Sequence, residues 1–335
     1  MEILYDSSRL AVVGIVEILS HFRFIRAAMA ALVLRLKEQP PQLLILIDYP
    51  DFNLILAKKA KRLGIPVFYY ISPQVWAWRS GRVKTIKKLV DRMAVILPFE
   101  EDFYREHGFA VGYVGHPLVD TVRASMSRPD FLRSIKVAPD STVIGLLPGS
   151  RKGEVAAMLP VFLACAALLR EQVEKPVFVL PMAPTLAKDD LMAAGLAEAG
   201  IEVRVIREKR YDLMAACDVV MAASGTVSLE LAILNVPMVI AYRLSPLTYL
   251  LGKLLVKVRY ASLVNLVAGR EVVPELLQDQ ATPERIAKTV LEVLNDKASR
   301  AKMLAGLAEV CGSLGEPGAS DRAARMALAF VCEGI

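Results

Sequence analysis

The chain has 335 residues, 55% of them apolar, and carries 41 Lys and Arg against 35 Asp and Glu, a net charge of +6. That is enough chain for two domains with separate cores, and the positive balance suits an anionic partner: a nucleotide, a phosphorylated lipid, a membrane surface or nucleic acid. Scattered cysteines (Cys165, Cys217, Cys311, Cys332) without C-x-x-C spacing fit a reducing compartment rather than a disulfide framework.

The start, with Glu2 and Asp6 and no basic stretch ahead of an apolar one, does not read as a secretory signal. Short apolar runs then alternate with helical patterns, the signature of parallel α/β layers. The strand runs of the first half are Leu43–Asp48, Val67–Ser72, Met93–Pro98 and Gly112–Gly115. A polar stretch from Ser125 to Ser141, with Pro129 and Pro139, reads as an interdomain linker. The second half supplies Val143–Leu147, Val177–Pro181, Val203–Arg207, Val219–Ala222 and Pro237–Tyr242. The longest uncharged apolar run, Val155–Leu169, is interrupted by Pro160 and falls short of the roughly 18 residues of a membrane span.

Two segments, Leu147-Pro148-Gly149-Ser150-Arg151 and Ala223-Ser224-Gly225-Thr226, follow strand runs and open helical ones. Such turns aim unpaired N–H groups and the positive end of the helix dipole at one point, which suits phosphate; two of them in one half of the chain point to a nucleotide diphosphate. In doubly wound domains that point lies at the carboxyl ends of the strands.

Together with Ser72-Pro73-Gln74-Val75-Trp76-Ala77-Trp78-Arg79, Gly115-His116-Pro117, Glu154, Glu230 and Asn265-Leu266-Val267-Ala268-Gly269-Arg270-Glu271, these segments resemble, in order, the motifs of the lipid-A-disaccharide synthase family, and the likeness runs over nearly the whole chain. The resemblance implies an α/β fold of two Rossmann-like domains of GT-B type facing a cleft. It implies residues 1–125 as an acceptor-side domain, 126–310 as a UDP-sugar domain, and 311–335 as a C-terminal helix returning to the first domain. The activity implied is inverting transfer of 2,3-diacylglucosamine from its UDP derivative to the 6-hydroxyl of 2,3-diacylglucosamine 1-phosphate, releasing UDP, on the cytoplasmic face of the inner membrane. One departure stands out. The family opens with a strand, a Gly-Glu-x-Ser-Gly-Asp turn and a helix, whereas this chain begins with Met1-Glu2-Ile3-Leu4-Tyr5 in what resembles an interior stretch, so the first domain is expected to be N-terminally incomplete.

Inverting transfer needs a base and a way to hold charge on the leaving UDP. Asp51 reads from its residues alone as a helix cap; the resemblance makes it the base, with Asp48 second. Arg151 is a solvated helix-start arginine or, by the resemblance, the diphosphate partner, beside Gly149 and Ser150. Ser224, Gly225 and Thr226 are a helix cap or a second phosphate turn, and Glu230, one helical turn further on, is placed to accept from both ribose hydroxyls. The resemblance adds Asn265 and Glu275 to the cleft; His116 stands evenly between a structural and a catalytic role. Trp76 and Trp78 read as packing. No cluster has metal-ligand spacing, so neither metal nor cofactor is expected.

Basic amphipathic stretches at 21–38 and 247–259 read first as core-facing helices with a solvated face and second as contacts with an anionic membrane. The basic stretch Arg79–Arg92 matches no nucleic-acid motif, so nucleic acid is set aside as a partner. A homodimer formed by exchange of the C-terminal segment is a family-based expectation. The alternatives are another UDP-N-acetylglucosamine enzyme of this fold, an epimerase or a transferase, and a shortened non-catalytic relative that binds UDP or lipid.

Overall fold

Each strand run named from the sequence appears as a parallel strand in a computed structural model, which describes residues 3–5, 15–78, 80–244 and 258–333, without the side chains of 15–22. Arg79 and residues 247–257 of the second basic stretch lie outside the described residues. The chain divides into two units, Met1–Gly115 with Gly318–Ile335, and His116–Pro317.

The first unit runs α1 (Ile15–Glu38), β1 (Leu44–Ile47), α2 (Pro50–Arg62), β2 (Val67–Tyr70), α3 (Val75–Trp78), α4 (Val83–Leu89), β3 (Arg92–Val95), α5 (Glu100–Glu106) and β4 (Gly112–Tyr113). Its sheet is parallel in the order β1-β2-β3-β4. The Val-Phe-Tyr-Tyr of β2 is buried throughout, as a strand covered on both faces must be. Ala57 and Ala60, fully buried, let α2 approach the sheet closely, and Asp91 ties the two by accepting from Lys61 Nζ at 2.7 Å and Val67 N at 2.8 Å. Among the described residues β1 is the edge strand, and its Ile45 and Ile47 are 50% and 56% exposed. The C-terminal helix, Ala319–Cys332, packs in this unit, burying Ala323 and Ala327 against Phe68, Ala94 and Val114. Arg92 of β3 holds its far end, stacking over Phe330 at 5.5 Å and pairing with Glu333 at 3.2 Å.

The second unit runs α6 (Leu118–Thr121), α7 (Arg128–Ser134), β5 (Thr142–Leu147), α8 (Lys152–Arg170), β6 (Pro176–Pro181), α9 (Lys188–Ala193), β7 (Val203–Ile206), α10 (Arg210–Ala215), β8 (Val219–Ala222), α11 (Val227–Ile233), β9 (Met238–Tyr242), α12 (Leu263–Ala268), β10 (Glu275–Leu277), α13 (Pro283–Asn295) and α14 (Lys297–Ser313). All its strands are parallel, in the order β10-β9-β8-β5-β6-β7. β10 was not foreseen: three residues that begin with Glu275 give no apolar run. By length and composition α8 could cross a membrane, and it continues through Pro160. Met158, Leu159, Phe162, Cys165, Ala166 and Leu169 bury its apolar side in this unit's core.

The units divide after Gly115 and Pro317, not after 125 and 310. Hydrogen bonds supply the reason. Asp212 accepts from Ser125 N at 2.6 Å, Met126 N at 2.7 Å and Ser125 Oγ at 2.9 Å, and His116 N donates to Leu314 O at 2.8 Å, so both connecting segments are fastened to the second unit.

Candidate active site

In the first turn, Gly149 adopts φ +116°, and a Cβ there would lie 2.6 Å from Glu154 Cβ, so only glycine fits. The reason is Glu154 itself, which folds back from the first turn of α8. Its Oε2 accepts from Ser150 N at 3.1 Å and Arg151 N at 3.3 Å, and its Oε1 accepts from Arg151 Nη1 at 3.1 Å. A carboxylate thus holds the N–H groups that the sequence reading left open for phosphate. Arg151 is otherwise exposed to solvent.

In the second turn, Ser224 Oγ donates to Ala261 O at 2.7 Å, while Gly225 and Thr226 are exposed. One helical turn on, Glu230 is only 8% exposed, and its Oε1 accepts from Arg210 Nη2 at 3.3 Å and Tyr211 OH at 3.4 Å. Burial raises its pKa, against the opposing pull of Arg210 and Tyr211. The two turns and Glu230 line one cavity of about 410 Å³. It opens where the strands of the second unit end: after β5 and β8 for the turns, and at the end of β6 for Pro181 and Met182. Its size is that of a small-molecule site.

Asn265 and Glu275 meet, at 2.7 Å. Asn265 is 0% exposed. Its Nδ2 donates to Val273 O at 2.8 Å and Glu275 Oε1 at 2.7 Å, and its Oδ1 accepts from Val272 N at 2.7 Å and Val273 N at 3.0 Å. The amide's capacity is therefore fully used. Glu275 also takes Ser262 N, Ser262 Oγ and Ala261 N at 2.7–2.9 Å. The pair fixes residues 261–262, and through Ala261 O it fixes Ser224.

In the first unit, Asp51 is not the cap of α2. Tyr49, in the left-handed region at φ 45°, takes the N-cap position, and Pro50 starts the helix. Asp51 follows with its side chain 75% exposed and pairs with Arg82 Nη2 at 2.6 Å. Asp48 is exposed. Its carbonyl accepts from Tyr69 OH at 2.6 Å and Asn53 Nδ2 at 2.7 Å, which pins the turn ahead of Asp51. Asp51, Tyr49, Phe52 and Ile55 line an apolar groove of about 960 Å³ between α1 and α2, rimmed by Arg26, Lys37 and Lys59.

His116 is buried in the second unit; its Nδ1 accepts from Leu118 N at 3.2 Å, and burial holds its pKa down to about 4. The ring is therefore neutral, with its proton on Nε2. Trp76 is buried and donates to Glu100 Oε1 at 3.1 Å. Glu100, which no motif flagged, also accepts from Leu97 N and Ile96 N; burial pushes its pKa up to about 7 in spite of these donors. Arg210 and Tyr211 were missed as well. Their position after β7, on the ligand-bearing edge of a parallel sheet, was the signal. Among the described residues no group of three His, Cys, Asp or Glu is placed to hold a metal.

The lipid-A-disaccharide synthetase family profile matches residues 1–330. The chain belongs to that family. The lipid-A-disaccharide synthase of Geobacter metallireducens is 52% identical over 328 residues, covering 98% of this chain and 85% of that protein. The enzyme of Myxococcus xanthus is 44% identical over 334 residues, covering 100% and 87%. The chain is thus a glycosyltransferase of lipid A biosynthesis, a lipid-A-disaccharide synthase by family. Its fold is similar to the UDP-GlcNAc 2-epimerase of Neisseria meningitidis bound to UDP-GlcNAc, with TM-score 0.62 at 13% identity over 91% of this chain and 81% of that one. It is also similar to MurG of Acinetobacter baumannii, with TM-score 0.53 at 13% identity over 89% and 77%. At these identities the likeness shows the GT-B-like fold alone.

Proposed function

We propose that the second unit holds the UDP end of UDP-2,3-diacylglucosamine in the cavity formed by the two turns and Glu230, and that Asp51 of the first unit is the base. Asp51 takes the proton of the 6-hydroxyl of 2,3-diacylglucosamine 1-phosphate, and the freed oxygen attacks the anomeric carbon of the donor from the face opposite UDP. The bond from that carbon to the β-phosphate oxygen breaks, its electron pair leaves on UDP, and the configuration inverts. Arg151 and the N–H groups at Gly149, Ser224, Gly225 and Thr226 take up the charge on the leaving group, while Ser150, whose N–H Glu154 holds, keeps the first turn closed. Asn265 and Glu275 serve by holding the second turn, and His116 by holding the segment ahead of α6.

The observation that carries this reading is the convergence of both turns and a buried carboxylate on one 410 Å³ cavity. Asp51 on the rim of an apolar, basic-edged groove supports an acylated, phosphorylated acceptor on the first unit. The same substrate chemistry supports peripheral contact of the basic face of α1 with an anionic membrane, on the cytoplasmic side of the inner membrane. A homodimer through the C-terminal helix belongs to the same proposal.

The test is product mass after incubation with both diacylated substrates, beside Asp51→Ala and beside unacylated UDP-N-acetylglucosamine. A tetra-acylated disaccharide phosphate from the diacylated pair alone, absent in the variant, supports the reading. Turnover of the unacylated sugar favours another UDP-N-acetylglucosamine enzyme, and UDP binding without product a non-catalytic relative.

A further inference from the structure

The partners of Glu230 are one-sided. Arg210 Nη2 and Tyr211 OH both lie on Oε1, at 3.3 and 3.4 Å, and Oε2 has no partner among the described residues. Both come from the first turn of α10, which follows Lys209 in the left-handed region at φ 55°. The guanidinium is braced from within that turn: it stacks over the Tyr211 ring at 4.5 Å, and its Nη2 donates to Tyr211 OH at 2.5 Å. The same nitrogen, Nη2, thus serves Tyr211 OH and Glu230 Oε1, and the stack on the ring holds the guanidinium in the wall of the cavity, where half of the arginine side chain remains solvated.

A carboxylate holds two hydroxyl donors most strongly when ionised, because the bonds are then charge-assisted and no carboxyl proton competes as a donor. In a wall this buried, ionisation needs a counter-charge. We propose that Arg210, braced on Tyr211, is the positioning residue that keeps Glu230 ionised, so that the cavity grips the hydroxyl pair of a ribose into mildly acidic pH. This rests on the reading that the cavity takes the UDP end of the donor. Burial drives Glu230 toward its neutral form and Arg210 is the first opposing influence, with the Tyr211 hydroxyl second. The remaining ionisable groups of the cavity are Arg151 and Glu154, which pair with each other, and Tyr242. The elements packed on α11 carry Asp120 (α6), Tyr242 (β9) and Lys297, Arg300, Lys302 and Glu309 (α14); α12 carries no charge, and His116 ahead of α6 stays neutral down to about pH 4. Glu230's own partners among the described residues are Arg210 and Tyr211.

The experiment is UDP affinity by calorimetry between about pH 5.5 and 8 for the native chain, Arg210→Gln, Arg210→Lys and Glu230→Gln. The ratio of variant to native Kd cancels the ionisation of the UDP terminal phosphate. For Arg210→Gln the ratio should grow about tenfold or more as pH falls across the range, since one pKa unit is tenfold. Arg210→Lys, which keeps the charge, should hold the ratio flat. In a Glu230→Gln background, Arg210→Gln should add no pH dependence. A ratio that is constant, or that rises toward high pH as loss of a phosphate contact would make it, overturns the proposal. A native chain that binds no UDP at any pH, or one whose UDP affinity Glu230→Gln leaves intact, overturns the underlying reading of the cavity, and the proposal with it.

Discussion

Glu154 lies over Gly149 so closely that a side chain on residue 149 would meet its Cβ at 2.6 Å, while its carboxylate caps Ser150 N and Arg151 N. Turn and cap are therefore one device. Gly149→Ala forces both a left-handed alanine and displacement of Glu154, and should cost about 1–3 kcal/mol in the second unit. Denaturant unfolding monitored on that unit checks the cost, and UDP affinity should fall with it; an alanine variant as stable as the native chain contradicts the geometry.

Asp51 stands clear of the cap of α2, so its removal should leave folding alone. Asp51→Asn should reduce kcat by about 10²- to 10⁴-fold, the usual worth of a general base, with UDP affinity and melting temperature unchanged. Full turnover by the variant would move the base elsewhere, with Asp48 next in line.

The Asn265–Glu275 pair predicts the opposite pattern. Asn265→Ala strands the N–H groups of Val272 and Val273 and removes a donor from Glu275, a loss of about 2–4 kcal/mol. Ser262→Ala, which removes one hydroxyl donor, should cost about 1 kcal/mol. If Asn265 instead touches substrate, Asn265→Ala will lower activity with stability intact, and thermal unfolding beside turnover tells the two apart.

Two buried titrating groups give the units opposite responses to acid. Glu100, in the first unit, is raised to about 7, so the folded state binds a proton that the unfolded state lacks between its ordinary value of 4.5 and 7; stability falls as pH rises through that window and returns on acidification. His116, in the second unit, is lowered from 6.5 to about 4, so the unfolded state binds the extra proton and stability is lost as pH falls through that window. Calorimetric scans from pH 7 to about pH 5 should show the two transitions drawing apart in their responses. Glu100→Gln should flatten the first unit's dependence and His116→Asn the second's; parallel shifts in all three chains would refute the assignment.

The candidate site was legible wherever its chemistry was local. A strand run followed by Pro-Gly-Ser-Arg or Ser-Gly-Thr fixes a turn and a helix start by itself, because glycine's freedom at φ +116° and the apolar run before it are properties of neighbouring residues. Glu230 was within reach for the same reason, one helical turn beyond its own motif. Asp51 shows the limit. Its position beside Pro50 reads as a cap, but whether it caps depends on Tyr49 entering the left-handed region, which Tyr69 and Asn53 enforce by holding the carbonyl of Asp48.

By itself, then, the sequence determined the alternation of strands and helices, the two turns and the family, since each rests on periodicity, on turn chemistry or on ordered motifs within a few residues. Only the tertiary structure decided which polar groups satisfy one another. Asn265 closes on Glu275, Trp76 on Glu100, Arg210 on Glu230 and Ser125 on Asp212, and these bonds set which side chains are buried and which connecting segment is fastened to the second unit. A buried polar atom must find a partner, and that partner is chosen by strand order and helix packing, which bring together residues as far apart as 125 and 212.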